Sequence, residues 1–465
     1  MLGGHPPGLA VLFFSEMWER FSFYGMRALL VLYMVEQVLL PGHAQKILGY
    51  GALVSGLHSV FGELSTQAIA SQIYGIYTSL LFLTPLFGGI LADRWLGQYR
   101  TVQLGGIVMA IGHFLMAFDF SFLIALLCII FGNGCFKPNI SSQVGGLYVP
   151  GDNKRDSAFS LFYVGINLGA LIAPVVCGTL GEVYGWHWGF LAAGIGMVAG
   201  LVIFTLGRRH LPADVRPRAE RSRATAPKAR LRRRDVQAIV ALCLIAFIMT
   251  FFWASYEQQG NAVVLWARDY TDRSFFGLFD IKVTWFQSMN PLLIFVLTPV
   301  VLYVWARQAR KRREPGVVTK LAIGCFLGSI AYAILTLAAL STGGSGRASW
   351  IWTLAYFIAL TFGELFVAPV ALSLYSRAAP AAVASTMMGV WFLSAVIGNY
   401  LTGLFGSYWE RLPKPVFWAG MAVVSFGAGL AVLACKRLLD RILVNSEMAS
   451  SAEILPQTAD KAPAR

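Results

Sequence analysis

Charged side chains are scarce in this sequence of 465 residues. Asp, Glu, Lys and Arg together make up 13% of it and hydrophobic residues 57%, whereas a typical soluble domain carries roughly 25% charged residues. A compact globule could not hide so much apolar surface. A lipid bilayer accommodates it, because a membrane-spanning helix needs about 20 mostly apolar residues. The composition therefore predicts an integral membrane protein.

Cysteines, histidines and catalytic motifs are also sparse. The six cysteines lie in or at the edge of apolar runs without CxxC spacing, which favours small apolar helix residues over a disulfide framework or a metal site. The six histidines are scattered, and no HxxxH, GxSxG or P-loop pattern occurs. We therefore expect a protein that is not an enzyme, binds no cofactor or metal and is not driven by ATP.

Acidic residues are outnumbered by basic ones, and the formal net charge is +14. The basic residues cluster in short segments between apolar runs, which is typical of cytoplasmic loops and not of a nucleic-acid partner. With the N-terminus inside, 27 of the 37 Lys and Arg residues fall on the cytoplasmic side and seven on the opposite side. This bias predicts a multi-pass protein of the bacterial inner membrane with both termini cytoplasmic.

The sequence shows no cleavable signal peptide. Its first eight residues lack Lys and Arg, and Glu16, Glu19 and Arg20 interrupt the first apolar run. The apolar core of a signal peptide should not carry three charges. We expect the first run to be an uncleaved spanning helix.

Twelve apolar runs, bounded by charge, glycine or proline, make up most of the chain. They predict spanning helices at 9–36, 68–92, 100–119, 121–146, 157–180, 187–207, 236–262, 284–306, 318–340, 350–376, 382–408 and 415–437. An Arg-, Pro- and Ala-rich segment without apolar periodicity separates the sixth run from the seventh, and it reads as a flexible linker near lipid headgroups. The predicted domains are an N-terminal six-helix bundle (1–207), a basic cytoplasmic linker (208–235), a C-terminal six-helix bundle (236–440) and a cytoplasmic tail (441–465).

The segment 41–67 fits no spanning pattern. It is partly apolar and rich in glycine. We expect an external loop with short helical pieces, and a re-entrant element is the alternative.

The first run carries a charged face. Its ionisable and aromatic residues follow i, i+3, i+4, i+7, i+8, i+11 spacing and so share one side of a helix over about three turns: Glu16, Glu19, Arg20, Phe23, Tyr24 and Arg27. Each charge at mid-bilayer costs roughly 2.5–3.5 kcal/mol on insertion scales. The structural alternative is a buried ion pair that only fixes helix packing. Three charges on one face are more than such packing requires, and Arg27 lies two turns further on.

Other ionisable residues lie within later runs: Lys137 in FGNGCFKPNISS, Glu257 in FWASYEQQGN and Glu364 in TFGELFVAPVALS. Lys137 lies too far from a loop to snorkel easily, and Glu364 has no partner in its own helix. Counted with the first helix, four acids face three bases. Uptake of one proton neutralises this site, so proton binding during a transport cycle is physically plausible.

These segments resemble the proton-dependent oligopeptide transporter family of the major facilitator superfamily. Glu16 to Gly25 resembles the family motif ExxERFxYYG, with Phe23 where the family often has Tyr. PLFGGILADRWLGQYRT, FYVGINLGALIAP, FKPN, EQQGN, WFQSMNP and GELFVAPVALS are similar to further family segments in the same order. Two departures are the basic linker, where many bacterial members have two additional helices, and Ala368, where a Ser is common.

The resemblance implies the major facilitator fold, twelve transmembrane helices in two six-helix bundles around a cavity that opens alternately to each side. It implies proton coupling by Glu16, Glu19, Arg20 and Glu364. It implies substrate binding by Tyr24, Arg27, Tyr77, Lys137, Tyr163, Asn167, Asn290, Glu364 and Trp391. The pairs Arg27–Glu257 and Lys137–Glu364 would form the outer and inner gates.

The implied function is proton-coupled symport of di- and tripeptides, by a monomer with the proton as coupling ion. The same fold carrying another small solute, such as a nitrate-like anion, an amino acid or a drug, is the alternative. Glu16, Glu19 and Arg20 favour proton coupling. The bases Arg27 and Lys137 are opposite in charge to the acid Glu364. This polarity favours a substrate with charges at both ends.

Overall fold

The computed structural model of the protein describes residues 4–149, 152, 154–212, 214, 232–343 and 346–459. Most of the predicted linker 208–235 and the end of the predicted tail 441–465 lie outside these residues. Within them the chain is almost entirely helical, which confirms the prediction of an all-α protein.

The described residues form fifteen α-helices, numbered in chain order. They are α1 (Pro7–Tyr33), α2 (Tyr50–Phe61), α3 (Thr66–Leu83), α4 (Pro85–Leu91), α5 (Gln98–Leu115), α6 (Phe122–Gly146), α7 (Lys154–Tyr184), α8 (Trp186–Leu206), α9 (Arg233–Tyr256), α10 (Ala262–Asp269), α11 (Met289–Arg310), α12 (Val317–Ser341), α13 (Trp350–Ala378), α14 (Ala384–Gly406) and α15 (Lys414–Ala459). Short 3₁₀ and π turns connect several of them.

Four two-residue strands lie in the loops. Strand β1 (Thr271–Asp272) runs parallel to β4 (Ala348–Ser349), and β2 (Ser274–Phe275) pairs with β3 (Phe279–Asp280) in an antiparallel hairpin. Together with α2, these strands mark one end of the helices, which we call the hairpin end. The opposite end, where α1 begins, is the terminal end.

All twelve predicted spanning helices are present. Ten helical segments among the described residues are long and apolar enough to cross a membrane. The other two predicted spans are α1, which carries four ionisable residues, and α5, which begins with polar residues. Hydropathy alone therefore misses two spans, one of them the helix with the predicted charged face.

Some helix bounds differ from the predictions. The run 68–92 is two helices, because Pro85 has no backbone N–H to continue α3 and begins α4 instead. The run 236–262 continues through a 3₁₀ turn, Glu257–Gly260, into α10. The last helix, α15, extends to Ala459 and so into the segment predicted as a tail.

The helices pack in two groups. In the first half α1 packs mainly on α7 and α8, and α5 on α6 and α8; in the second half α12 packs on α13 and α15, and α9 on α14 and α15. Glycines allow close approach, as at Gly132, where a Cβ atom would lie 2.6 Å from the Gly105 carbonyl oxygen. The halves meet chiefly through α3 with α14, and through α7 with the 3₁₀ turn Val283–Ser288 that precedes α11.

The segment 41–67 contains a short 3₁₀ turn, Ala44–Lys46, and the helix α2. Gly49 and Gly62 flank α2 with φ angles of +82° and +73°, a backbone conformation that favours glycine. Six of the twelve residues of α2 are exposed, and Leu57 is its only buried residue. The prediction of a loop with short helical pieces is confirmed.

Candidate functional site

A cavity of about 240 Å³ lies between the two halves. Both halves contribute ionisable side chains to its wall, as the sequence predicted. Nine of the thirteen predicted site residues line it: Arg20, Tyr24, Arg27, Lys137, Tyr163, Asn167, Glu257, Asn290 and Glu364.

The predicted pair of Arg27 and Glu257 joins the two halves at this cavity. The Arg27 guanidinium forms an ion pair with the Glu257 carboxylate, and both side chains are largely buried. The Arg27 Nε also donates a hydrogen bond to the Tyr74 hydroxyl at 3.0 Å. Because Arg27 belongs to α1 and Glu257 follows α9, this contact holds the first and seventh spans together.

The charged face of α1 forms a buried cluster. The Arg20 Nε lies 3.1 Å from Glu16 Oε1 and 2.5 Å from Glu19 Oε2, and all three residues are at most 3% exposed. Within the described part of the chain, Glu16 Oε2 and Glu19 Oε1 lack hydrogen-bond partners. Two carboxylates thus share one guanidinium, and if both are ionised the cluster carries a net negative charge. Arg20 connects this cluster to the cavity wall, which Glu16 and Glu19 do not reach.

Lys137 and Glu364 reach the cavity from opposite halves. Lys137 extends from α6, next to Pro138 within that helix, and its Nζ lies 5.2 Å from the centre of the Phe82 ring. Glu364 accepts a 2.8 Å hydrogen bond from Asn290 Nδ2. Among the described residues neither side chain has an ion-pair partner, so the predicted inner-gate contact between them is not formed in this conformation.

Tyr163 and Asn167 lie one turn apart on α7 and both face the cavity. The Asn167 amide donates a 3.0 Å hydrogen bond to the Tyr163 carbonyl of its own helix. This hydrogen bond lies within α7 and does not connect α7 to a neighbouring helix.

Tyr77 and Trp391 do not reach the cavity wall, contrary to the substrate-binding role that the resemblance implied for both. Both are at most 5% exposed. The adjacent residue Thr78 occupies the wall instead. Trp391 packs against Trp253, with ring centres 6.0 Å apart, and Trp253 lines the cavity. Hydropathy does not fix the rotation of α3, so it could not distinguish Tyr77 from Thr78.

Several polar residues of the wall were not predicted from the sequence, including Asn133, Tyr256, Gln259 and Gln287. Gln287 Nε2 donates to the Gln259 carbonyl at 2.5 Å and so ties the start of the eighth span to the end of the seventh. Tyr256 and Gln259 flank Glu257 in the FWASYEQQGN segment. Their closeness to Glu257 in the sequence is the signal from which they could have been predicted.

Close backbone contact between α3 and α14 seals the hairpin side of the cavity. A Cβ atom on Gly75 would lie 2.6 Å from Gly403 Cα and 2.8 Å from its nitrogen. Nearby, Ser71 Oγ donates to Asn261 Oδ1 at 3.0 Å, and Gln67 Nε2 donates to the Gly406 carbonyl at 3.1 Å. The two halves are therefore in direct contact between the cavity and the hairpin end.

A second contact joins α7 to the eighth span at the same end. The Glu182 carboxylate accepts hydrogen bonds from the backbone N–H of Val283 at 3.1 Å and of Thr284 at 2.8 Å, and from the Thr284 hydroxyl at 2.7 Å. Trp285 Nε1 donates to Thr179 Oγ1 at 2.8 Å. A carboxylate that accepts backbone N–H groups forms the stronger, charge-assisted kind of hydrogen bond.

The sequence matches the profile of the PTR2 family, described as the POT family, over residues 99–225 and 219–418. It is 35% identical to the peptide transporter YePEPT of Yersinia enterocolitica, with 92% of this chain and 94% of that protein covered. It is 33% identical to a di-/tripeptide transporter of Lactococcus lactis subsp. cremoris, with 95% and 97% covered.

Solved structures agree with these matches. A crystal structure of a peptide transporter POT mutant in complex with alafosfalin has a TM-score of 0.82 at 30% identity, covering 95% of this chain and 96% of that one. A POT family transporter in complex with 5-aminolevulinic acid has a TM-score of 0.78 at 26% identity, covering 94% and 98%. The chain belongs to the proton-dependent oligopeptide transporter (POT) family of membrane transporters, and it has the major facilitator fold with twelve transmembrane helices in two six-helix bundles.

Proposed function

We propose that the protein imports di- and tripeptides together with protons by alternating access, as a monomer in the inner membrane of a bacterium. The names of its relatives from Yersinia and Lactococcus support peptides as the substrate class. The excess of Lys and Arg on the terminal side supports cytoplasmic termini, so the hairpin end faces outward. No cofactor is required, because the proton is the coupling ion.

The observation that carries this proposal is the pair of unneutralised charges in the cavity. Lys137 and Glu364 line the same cavity from opposite halves, and among the described residues neither has an ion-pair partner. A peptide carries a carboxylate at one end and an ammonium at the other. It would place its carboxylate near Lys137 and Arg27 and its ammonium near Glu364 and Asn290, neutralising charges that are otherwise costly in the membrane.

Proton coupling is assigned to the cluster of Glu16, Glu19 and Arg20. With two carboxylates on one guanidinium, one proton makes the buried cluster neutral. Arg20 lies both in this cluster and in the cavity wall, with its Cζ 5.1 Å from the centre of the Phe23 ring. Protonation of this cluster would therefore change the net charge near the bound substrate.

The conformation fits the inward-facing state of this cycle. On the hairpin side the cavity is closed by the Arg27–Glu257 ion pair and by the contacts of α3 with α14. The proposed inner gate, Lys137 with Glu364, is not formed. In alternating access one gate opens as the other closes. The Arg27–Glu257 pair is the proposed outer gate, and the Lys137–Glu364 pair is the proposed inner gate.

A second candidate is an amino-acid-like solute. The relative solved with 5-aminolevulinic acid indicates that this family accepts a small molecule with an amino and a carboxyl end. The same two cavity charges, Lys137 and Glu364, would hold it. Competition between peptide and 5-aminolevulinic acid for uptake would distinguish a shared site from peptide selectivity.

The test is uptake of labelled dialanine into proteoliposomes with an inward proton gradient. We expect the wild type to concentrate dialanine and Glu19→Gln to lose gradient-driven uptake while keeping counterflow exchange, which needs no net proton movement. The matched control is Glu63→Gln, the same chemical change at an exposed position at the hairpin end. It should transport like the wild type.

The outcomes separate the parts of the proposal. Loss of both gradient-driven uptake and counterflow in Glu19→Gln would show that Glu19 is needed for folding or binding and not for coupling alone. Absence of di- and tripeptide uptake by the wild type would refute the proposed substrate class. The alternative solutes would then be screened in the same vesicles.

A further inference from the structure

A second cavity lies at the hairpin end, and it shares no lining residue with the central cavity. Its volume is about 240 Å³, the same as that of the central cavity. Thr66 and Gln67 at the start of α3 form one wall from the first half of the chain. Tyr270, Trp409 and Lys414 form the other wall from the second half. We call it the outer pocket.

The outer pocket contains a buried ammonium that forms no ion pair within 4.0 Å with any of the described carboxylates. Lys414 is 8% exposed, and its Nζ lies 4.2 Å from the ring centre of Trp409 and 5.6 Å from that of Tyr270. Its only hydrogen bond among the described residues is to the Trp409 carbonyl oxygen. An ammonium has three donors, so Lys414 keeps hydrogen-bonding capacity for an anionic ligand.

Carboxylates line the same pocket. Asp269 is held by the guanidinium of Arg268, with contacts of 2.6 and 2.9 Å. Glu410 accepts a 2.6 Å hydrogen bond from Ser65 Oγ and, within the described residues, has no ion-pair partner. The pocket therefore offers a buried ammonium at Lys414 and an exposed carboxylate at Glu410, beside two aromatic rings. This combination suits a small zwitterion.

The outer pocket is complete only while the hairpin end is closed. Opening the halves would separate Thr66 and Gln67 from Tyr270, Trp409 and Lys414, because these walls belong to different bundles. A ligand that binds only one conformation shifts the equilibrium towards it. Occupancy from outside would thus hold the transporter in its inward-facing state and delay its return to receive the next substrate.

We propose that the outer pocket is a regulatory site for small zwitterions, including short peptides, that slows import when their external concentration is high. The ligand carboxylate binds Lys414 and its ammonium binds Glu410. The effect on import rests on the proposed function, because it requires that the hairpin end face outward and that peptides be carried. Binding to the pocket itself requires neither.

The first test measures dialanine uptake by the wild type over a wide range of external concentrations. We expect the rate to rise, pass through a maximum and then decline. Lys414→Gln should abolish the decline and leave the rate at low concentration unchanged, since Lys414 does not touch the central cavity. Lys414→Arg should retain the decline because it keeps the charge. The control is Lys46→Gln, an exposed lysine at the same end, which should behave like the wild type.

A binding measurement separates this inference from the transport function. Equilibrium binding of labelled dialanine to the purified protein in detergent should show a second site in the wild type that is absent in Lys414→Gln. Thr66→Phe, which fills the pocket from the other bundle, should also remove the second site. This variant provides an independent test if Lys414→Gln fails to fold. The inference is overturned if the wild type has no second site, or if this site survives both substitutions, whether or not uptake occurs.

Discussion

Closure of the hairpin end depends on a glycine, and replacing it should hold the transporter open on that side. The Cβ atom of Gly75→Ala would lie 2.6 Å from Gly403 Cα, 2.8 Å from Gly403 N and 3.1 Å from the Asn399 carbonyl oxygen. Carbon atoms in contact are ordinarily about 3.5–4.0 Å apart. All three neighbours belong to the backbone of α14 and cannot rotate away, so the two helices must separate by roughly 1 Å.

Gly75→Ala destabilises only the conformation in which the hairpin end is closed. Overpacking a close contact costs typically about 1–3 kcal/mol, and here the contact exists in the closed state and is broken when the hairpin end opens. The equilibrium should therefore move towards the outward-open state by about 1–3 kcal/mol, a factor of roughly 5–150. Import should fall, because the return to the inward-facing state becomes rarer.

The assay is the rate at which a membrane-impermeant maleimide, added outside, labels a cysteine placed at Thr78 in the cavity wall. The native cysteines are first replaced. Gly75→Ala should raise the labelling rate by the same factor by which it shifts the equilibrium. Gly389→Ala is the control, since it changes a glycine of α14 whose added Cβ meets nothing within 4 Å. Unchanged labelling and normal uptake in Gly75→Ala would refute the reasoning.

Three further predictions concern individual contacts in the structure. Glu182→Gln should speed external labelling of the cavity at least about fivefold, because an NH2 group that cannot accept replaces one of the two oxygens that accept from the backbone N–H groups, a loss of at least roughly 1 kcal/mol; no change would mean that this contact does not hold the closed state. Arg27→Glu and Glu257→Arg should each abolish dialanine uptake, and the double variant should recover part of it if they form a gate. Asp214→Ala should lower stability by about 0.5–2 kcal/mol, measured by thermal unfolding in detergent, because Asp214 caps α5 through the Tyr99 N–H at 2.8 Å.

Much of the fold follows from the sequence because the bilayer restricts what a chain can do. Each spanning backbone must satisfy its own hydrogen bonds, so apolar runs of sufficient length become helices. The first helix was predicted despite its charges, because Glu16, Arg20 and Arg27 repeat at helical spacing. The break at Pro85 was not predicted, since a proline within an apolar run is compatible with either a kink or a new helix.

The candidate site was predictable where charge decides the outcome. A lone Lys137 or Glu364 within an apolar run must face a cavity or a partner, and the structure places both at the cavity. Aromatic residues carry no such constraint, since Tyr77 is stable either at the cavity or packed between helices. The outer pocket could not be predicted, because Tyr270 and Trp409 lie in separate loops and only the tertiary structure brings them together.

The buried cluster on α1 also has a consequence for how the protein is made. Unlike the strongly apolar runs, α1 carries Glu16, Glu19 and Arg20, each of which opposes entry into lipid by roughly 2.5–3.5 kcal/mol. Its charged turn packs closely against Gly169 of α7 and Gly200 of α8, whose added Cβ atoms would lie 2.3 Å from the Met17 carbonyl oxygen and 3.0 Å from that of Ser15. Gly169 follows Glu16 by 153 residues and Gly200 follows it by 184, so both helices are synthesised much later. During biogenesis α1 must therefore stay at the insertion machinery, or at the membrane surface, until the fifth and sixth spans emerge to receive it.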